Sequence, residues 1–558
     1  MKTLNDQPSN RTSRAFLRLA GVLVLLTGCG RHPLRLQLEP TVERPEKSVV
    51  LFFVDGLDRG HLNQFLAQGR LPTIQRLFVD GGVGVQHAVT SIPAMTYPNT
   101  VSLLTGRFPG HHGIVGNQWF DRRTLASTDY IRPSHYQTVN HDFRDPTIYE
   151  MLNDHFTISI QCHTHRGANI AETNEVPTGL AWAVGLFQSI DQLSAGSLEE
   201  IGDYVNRAGR WPSLLTFYFP GIDEIGHLSG SDSSAYASAV ENIDRQIQRV
   251  TDALAREHLL ERTTLILVSD HSHPDVHATK SVDLVGWLRK ERRLHVHRGE
   301  YFARDYITAF DHFENYDAIV IDGSFRRIYV HLKGSRGWSR PVSAEEVSRC
   351  VSGGAEQDAS PLWKLPGVEL VCTSPAPGTV HVFSRRGAAL IERKMEEKKP
   401  MYRIVPWPNE PNDPLQISDN ATLSAFAAAG WHTSREWLAA LASTNYPDFI
   451  PQIVEAFDSP RTGEFVVFSA RDWAFEGHDR GEHGSCLPED MLIPMYFAGP
   501  GLPKGSSIPN ARLVDLTPTV LDLLGEGDRI ATYSLDGESI ADKLRQAAPS
   551  RWDPSAIR

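Results

Sequence analysis

Cysteine is scarce in this chain, at five in 558 residues. No two cysteines stand in CxxC spacing, which argues against a thiolate metal site or a dithiol redox motif. Excess positive charge is also missing. The 67 acidic side chains against 55 Lys and Arg give a formal net charge of −12, so a broad electrostatic grip on a nucleic-acid polymer is excluded and any phosphate recognition must be local. No apolar run approaches the roughly 20 residues needed to span a bilayer. Repeats and low-complexity tracts are absent as well. What remains, 41% hydrophobic, 9% aromatic and 22% charged residues, is the composition of a globular protein with material for a large core. Collagen-like, coiled-coil and wholly disordered readings fall away. The length predicts about three to four domains, or one large domain with insertions.

The first 29 residues stand apart. Lys2, Arg11, Arg14 and Arg18 make a basic start, Leu19 to Leu26 an apolar stretch, and Leu26-Thr27-Gly28-Cys29 follows. This resembles a bacterial lipoprotein signal with its lipobox, in which Cys29 becomes the lipidated first residue. Its removal takes away four basic residues and one acidic residue, leaving −15. The resemblance implies a lipid-anchored protein of the bacterial cell envelope, facing the periplasm, with Gly30 after the cysteine favouring the outer membrane. Export into an oxidising compartment allows Cys162, Cys350, Cys372 and Cys486 to form bridges in three full pairings, or to remain buried thiols.

Residues 30–47, with Pro33, Pro40 and Pro45 among charges, read as a tether. From Val49 the pattern changes to Val49-Val50-Leu51-Phe52-Phe53-Val54 ending at Asp55-Gly56, the signature of a parallel strand buried on both faces. The same grammar recurs where Leu214–Phe219 leads to Asp223, Leu265–Val268 leads to Asp270-His271, and Phe465–Phe468 precedes a loop with His483. Tyr236, Val240, Ile243, Ile247, Val250 and Leu254 form a helical stripe facing a sheet. Thr517-Pro518 and Gly525 bracket a short helix as N-cap, first-turn proline and C-terminal glycine. The alternation predicts an α/β fold, a doubly wound, mostly parallel sheet flanked by helices. A catalytic domain is expected over 48–277 and 431–545, with a smaller inserted α+β region over 278–430 and a tail over 546–558. Ligands of such sheets bind beyond the carboxyl ends of the strands.

That edge is where the chemistry-bearing residues fall. Asp55, Asp223, His227, Asp270, His271 and His483 each follow a predicted strand. Singly, each could be a turn or cap residue. Together, carboxylate oxygen and imidazole nitrogen suit zinc and similar divalent ions, and three ligands per ion leave a position open for substrate. In Thr96-Tyr97-Pro98-Asn99, Pro98 suits a first helical turn, so Thr96 sits at or just before a helix N-terminus, where free N–H groups and the macrodipole favour a phosphate.

Thr96-Tyr97-Pro98-Asn99, Thr105-Gly106 and Gly113-Ile114-Val115-Gly116-Asn117 resemble the nucleophile region of the nucleotide pyrophosphatase/phosphodiesterase branch of the alkaline phosphatase superfamily. The resemblance continues through Val54-Asp55-Gly56, Asp223 with Gly226-His227, Ser269-Asp270-His271 and His483-Gly484, and on to Asp515-Leu516-Thr517-Pro518-Thr519 and Leu535-Asp536-Gly537. It covers about 48–275 and 460–540, and departs from the commoner wording at Gly484-Ser485-Cys486. It implies two divalent ions, zinc by analogy. Asp223, His227 and His483 would hold one, while Asp55, Asp270 and His271 would hold the other together with Thr96 Oγ. Asn117 and the Tyr97 backbone N–H would bond a phosphate oxygen, and Thr96 would attack phosphorus to give a phosphothreonine. His273 and His277 could reach a metal but exceed a six-ligand set. His111, His112, His163, His165 and Asn99 are expected in structural or substrate-lining roles.

The expected activity is metal-dependent hydrolysis of a small phosphate ester, foremost a diester, because no Lys or Arg lies between Ser91 and Gly106 to meet the extra charge of a monoester. A phosphomonoesterase and a phospho-alcohol transferase are the alternatives within the superfamily. A sulfatase needs C/S-x-P-x-R, and Met95 stands where its arginine should be in Ser91-Ile92-Pro93-Ala94-Met95. A non-catalytic surface lipoprotein using the fold as a scaffold is the alternative of another class, disfavoured because every ligand and Thr96 are present.

Overall fold

A computed structural model describes residues 32–132, 135–277, 279–298, 313–324, 326–353, 360–406, 413–475 and 480–549. The segment read from sequence as a signal, with Cys29, lies outside them, and among the described residues no helix is long and apolar enough to cross a membrane.

Ser48–Val54 is buried throughout and lies at the middle of a ten-stranded sheet. Val50, Phe52 and Val54 point into one core and Val49, Leu51 and Phe53 into another, because successive side chains leave a strand on opposite faces. Its neighbours Leu214–Phe219 and Thr263–Ser269 run parallel to it. Thr157–Ile160 and Ile170–Glu172 extend the parallel run on one side. On the other side, Met495–Ala498 enters antiparallel between Thr263–Ser269 and Val83–Val89, and Ser506–Arg512 pairs parallel with Val83–Val89. Helices cover both faces. The six-residue stripe of Ser234–Arg256 is buried in the first core, while Leu103, Leu104, Leu516, Val520 and Leu521 fill the second. This is the doubly wound, mostly parallel architecture that the sequence predicts.

A second, nine-stranded sheet runs from Val296–Arg298 to His432–Thr433, and it includes Phe465–Ser469. That last strand pairs antiparallel with both Arg327–Leu332 and Val368–Ala376. It is a buried strand as expected but does not belong to the main sheet. An apolar run reports burial on two faces without naming its neighbours. The two sheets share a core in which Val89, Ile92 and Val101 meet Leu370, Val466 and Phe468.

Three further expectations are revised. The stretch read as a tether is seated on the body from Leu34 onward: Leu34, Leu36 and Val42 are buried, and Arg35 N donates to Glu199 while Glu39 N donates to Asn206. The late helix begins at Leu516 with Asp515 as N-cap, two residues earlier than Thr517, whose hydroxyl instead donates to Leu103 O. At the tail, Ala548–Pro549 pairs with Ser506 and Ser507. All four described cysteines are buried free thiols, so no bridge forms.

Candidate metal and nucleophile site

The register of the central strands builds the site. Val54 lies level with Phe219 on one side and Ser269 on the other, so Asp55 and Asp270 emerge side by side. The helix Gly221–Ser229 then starts directly after Phe219 and carries Asp223 and His227 one turn apart on one face. Gly56 makes the approach possible. It has φ +62°, and a Cβ there would lie 2.7 Å from Asp223 Oδ1.

Two groups of ligand-type atoms result, each with all members within 4.8 Å of one another: Asp55, Asp270 and His271, and Asp223, His227, His273 and His483. The six residues expected from sequence lie together at one sheet edge, Asp55, Asp270 and His271 in one group and Asp223, His227 and His483 in the other, where His273 joins them. The groups adjoin: the His271 and His483 rings stack at 3.6 Å, and His271 Nε2 is 3.3 Å from Asp55 Oδ1 and 3.9 Å from Asp223 Oδ1.

The surroundings orient each donor. His227 Nδ1 bonds Gly481 O at 3.0 Å, His483 Nδ1 bonds Ala94 O at 2.9 Å, and His271 Nδ1 bonds Ser272 O at 3.1 Å. A carbonyl accepts, so each Nδ1 carries a proton and each Nε2 is directed inward, where it can meet a cation once deprotonated. Asp270 Oδ1 accepts from Gly56 N and His271 N, leaving Oδ2 buried without a hydrogen-bond partner. Asp223 Oδ1 is likewise buried and unpartnered. Asp55 Oδ2 accepts a short hydrogen bond from the Tyr218 hydroxyl.

Buried carboxylate oxygens left bare are costly unless a cation meets them. The electrostatics carry the same strain. Burial and the neighbouring Asp55 charge push the Asp270 carboxyl far above its usual range. Burial also opposes ionisation of Asp55, but the hydrogen bond and charge of His271 outweigh it and hold that carboxyl below its ordinary value. For His271, burial pulls down while Asp270 and Asp55 raise it to about 9. Burial and the charges of His271 and His227 drive His483 well down. Oxygen and nitrogen donors at such spacing, with orphaned carboxylate oxygens among them, fit divalent cations of the zinc type.

Thr96 is the first residue of the helix Thr96–Thr105, with Met95 as N-cap. Its Oγ1 lies 3.3 Å from His271 Nε2 and 3.5 Å from Asp55 Oδ1. Asn99 holds the preceding loop: its Nδ2 donates to Pro93 O and Met95 O while its Oδ1 accepts from Ser91 N. Tyr97 N donates to Asn117 Oδ1 at 3.1 Å. The two groups expected to face a phosphate are therefore adjacent and paired with each other, and the amide is fixed with Nδ2 as its remaining donor.

The other histidines divide clearly. His163 packs on the Tyr97 ring at 4.2 Å, His112 pairs with Ser102, and His165 bonds Cys162 O. His277 bonds Thr279, away from the ligand groups. His111 joins Glu455, Asp458 and Asp536 in an ion-pair network completed by Arg393.

Sequence reasoning passed over three residues. His273 was set aside as surplus. Tyr218 carries no signal beyond its place in a strand. Arg327, from the second sheet, brings its Nη2 to 2.9 Å from Met95 Sδ, so a basic residue does flank the Thr96 segment although none lies in that window of sequence.

A family model described as type I phosphodiesterase/nucleotide pyrophosphatase matches residues 49–346, more than half of the chain. Ectonucleotide pyrophosphatase/phosphodiesterase 2 of Saccharomyces cerevisiae is 26% identical over 213 residues, covering 36% of this chain and 42% of that protein. Ectonucleotide pyrophosphatase/phosphodiesterase family member 1 of Mus musculus is 25% identical over 364 residues, covering 61% of this chain and 37% of that protein. The chain thus spans under half the length of these relatives. Among solved structures, murine ectonucleotide pyrophosphatase/phosphodiesterase 5, in an inactive threonine-to-alanine form in complex with AMP, superposes with TM-score 0.52 at 15% identity, covering 92% of this chain and 99% of that one.

Proposed function

Because the chain belongs to the type I phosphodiesterase/nucleotide pyrophosphatase family of the alkaline phosphatase superfamily, we propose that it is a two-metal phosphoric ester hydrolase whose nucleophile is Thr96. The observation that carries this reading is the convergence of two buried ligand groups, with bare oxygens on Asp223 and Asp270, beside the Thr96 hydroxyl.

Asp223, His227 and His483 would hold one divalent ion, and Asp55, Asp270 and His271 the other, with zinc the natural occupant. When bound, such ions supply Lewis acidity that lowers the pKa of hydroxyl groups and neutralises charge on a transferring phosphoryl group. Thr96 Oγ attacks phosphorus in line, the bond to one ester oxygen breaks and that group leaves as an alcohol with the proton given up by the threonine, and a phosphothreonine that keeps the second ester group forms. Water oxygen then displaces Thr96 Oγ from phosphorus, and two inversions give net retention. Asn117 Nδ2 donates to a non-bridging oxygen, and the N-terminal end of the Thr96–Thr105 helix favours the same anion. Tyr218 keeps Asp55 oriented through its hydrogen bond to Oδ2.

The substrate we assign is a small phosphate diester, with nucleotides the first class to try, since AMP occupies a structural neighbour and the relatives are named for nucleotide pyrophosphatase activity. A lipid anchor at Cys29 on the periplasmic face of the outer membrane belongs to the same reading. Loss of acyl labelling in Cys29→Ala tests it.

The decisive experiment uses the full chain in detergent, with bound metal measured. Turnover of a nitrophenyl nucleotide diester, a nitrophenyl monoester and a nitrophenyl sulfate is compared for wild type and Thr96→Ala. Diester turnover abolished in Thr96→Ala supports the reading. Preference for the monoester would overturn the substrate class, and an inert but metal-replete wild type would leave only a scaffold.

A further inference from the structure

We propose that His273 is a fourth protein ligand of the ion held by Asp223, His227 and His483. The proposal rests on the two-metal reading above and adds a donor to it.

His273 has no exposed surface, and neither ring nitrogen has a hydrogen-bond partner. A buried imidazole without a partner loses the hydration of both nitrogens and regains nothing, a cost on the scale of a broken hydrogen bond for each. The other three imidazoles of the site avoid this on one side, each bonding a backbone carbonyl through Nδ1. His273 Nε2 lies 3.4 Å from Asp223 Oδ1, itself unpartnered. Its ring centroid is 4.5 Å from that of His227 and 5.5 Å from that of His483. Two orphaned donors facing one point are what a shared cation would satisfy.

The cavity for this ring is built rather than incidental. A Cβ on Gly226 would stand 2.9 Å from the His273 ring, and one on Gly481 would stand 2.6 Å from it on the opposing segment. Gly226 immediately precedes His227, and Gly481 accepts the His227 Nδ1 proton. The backbone that orients His227 therefore also admits His273. His277, four residues on, has no such place and bonds Thr279.

Four nitrogen and oxygen donors complete a tetrahedral shell, whereas three leave a position for water. The ion at this site would thus be held more tightly than by Asp223, His227 and His483 alone.

The test compares wild type, His273→Ala and His273→Gln as full chains. Thermal unfolding is followed with and without zinc, zinc affinity is measured by chelator competition, and the cadmium-loaded proteins are observed by cadmium-113 NMR. If His273 is a ligand, the variants lose zinc binding beyond whatever the void left by the buried ring costs the metal-free fold. The zinc-induced rise in melting temperature falls, one of two affinities weakens by 10-fold or more, and one of two cadmium resonances shifts. If instead the metal-free variants are destabilised while both affinities and both resonances stay as in wild type, His273 is a packing residue and the inference fails. Failure of wild type to bind two ions would overturn the two-metal reading itself, an outcome separate from either.

Discussion

At the scale of single residues, the site works by fixing which atom of each side chain faces inward. Asn117 shows how. Because Tyr97 N donates to its Oδ1, the amide is held in one orientation, and on the proposed reading Nδ2 would meet substrate without any cost of ordering. Removing one donor of this kind lowers turnover by on the order of 100-fold to 1000-fold. Asn117→Ala is therefore expected to lose that much in kcat with metal content unchanged, and near-normal turnover would remove Asn117 from the mechanism. The six ligand candidates could be picked out in the sequence because each comes after an apolar strand run, and Thr96 because Pro98 marks a first helical turn. His273 could not. Three histidines in seven residues, His271, His273 and His277, look alike in the chain, and what singles out His273 is room provided by Gly226 and Gly481, which no local pattern announces.

At the scale of elements, the main strands were readable because parallel strands buried on both faces must be apolar along their whole length. Their register is what turns that into chemistry, since Asp55 and Asp270 meet only if Val54 lies level with Ser269. Which sheet Phe465–Ser469 joins could not be read, because hydrophobic runs specify burial and not partners. The turn after the first strand is the most demanding joint. Gly56 adopts φ +62°, and any Cβ would press on Asp223 Oδ1 at 2.7 Å, so a side chain there meets both backbone strain and a displaced ligand. Gly56→Ala is expected to cost roughly 1–3 kcal/mol of stability and to weaken binding of the ion at Asp223 more than of its neighbour. Titration of zinc into the variant with unchanged affinity at both sites would show that the turn has slack enough to spare Asp223.

At the scale of the whole molecule, the two sheets are joined by charge as well as by a shared core. His111 follows the nucleophile helix, Asp536 lies near the chain's end, Glu455 and Asp458 precede Phe465–Ser469, and Arg393 belongs to the second sheet. Burial disfavours the His111 cation, but Asp458, Asp536 and Glu455 outweigh it and raise the imidazole to about 11. Burial likewise opposes the Asp458 charge, yet His111 and Arg393 hold that carboxyl down at about 2. A free histidine titrates near 6.5. Between that value and about 11 the folded chain keeps a proton that the unfolded chain has released, so the contribution of His111 is complete below pH 6.5 and fades as pH climbs towards 11. One proton is worth at most about 1.4 kcal/mol per pH unit. Unfolding free energy, measured by denaturant at pH 6, 7.5 and 9, should fall across that series. In His111→Gln, with one cation of the network removed and Arg393 remaining, stability should be lower at pH 6 and the decline with pH flatter. An equal slope in wild type and variant would mean that the proton on His111 does not tie the segment after the Thr96–Thr105 helix to the second sheet.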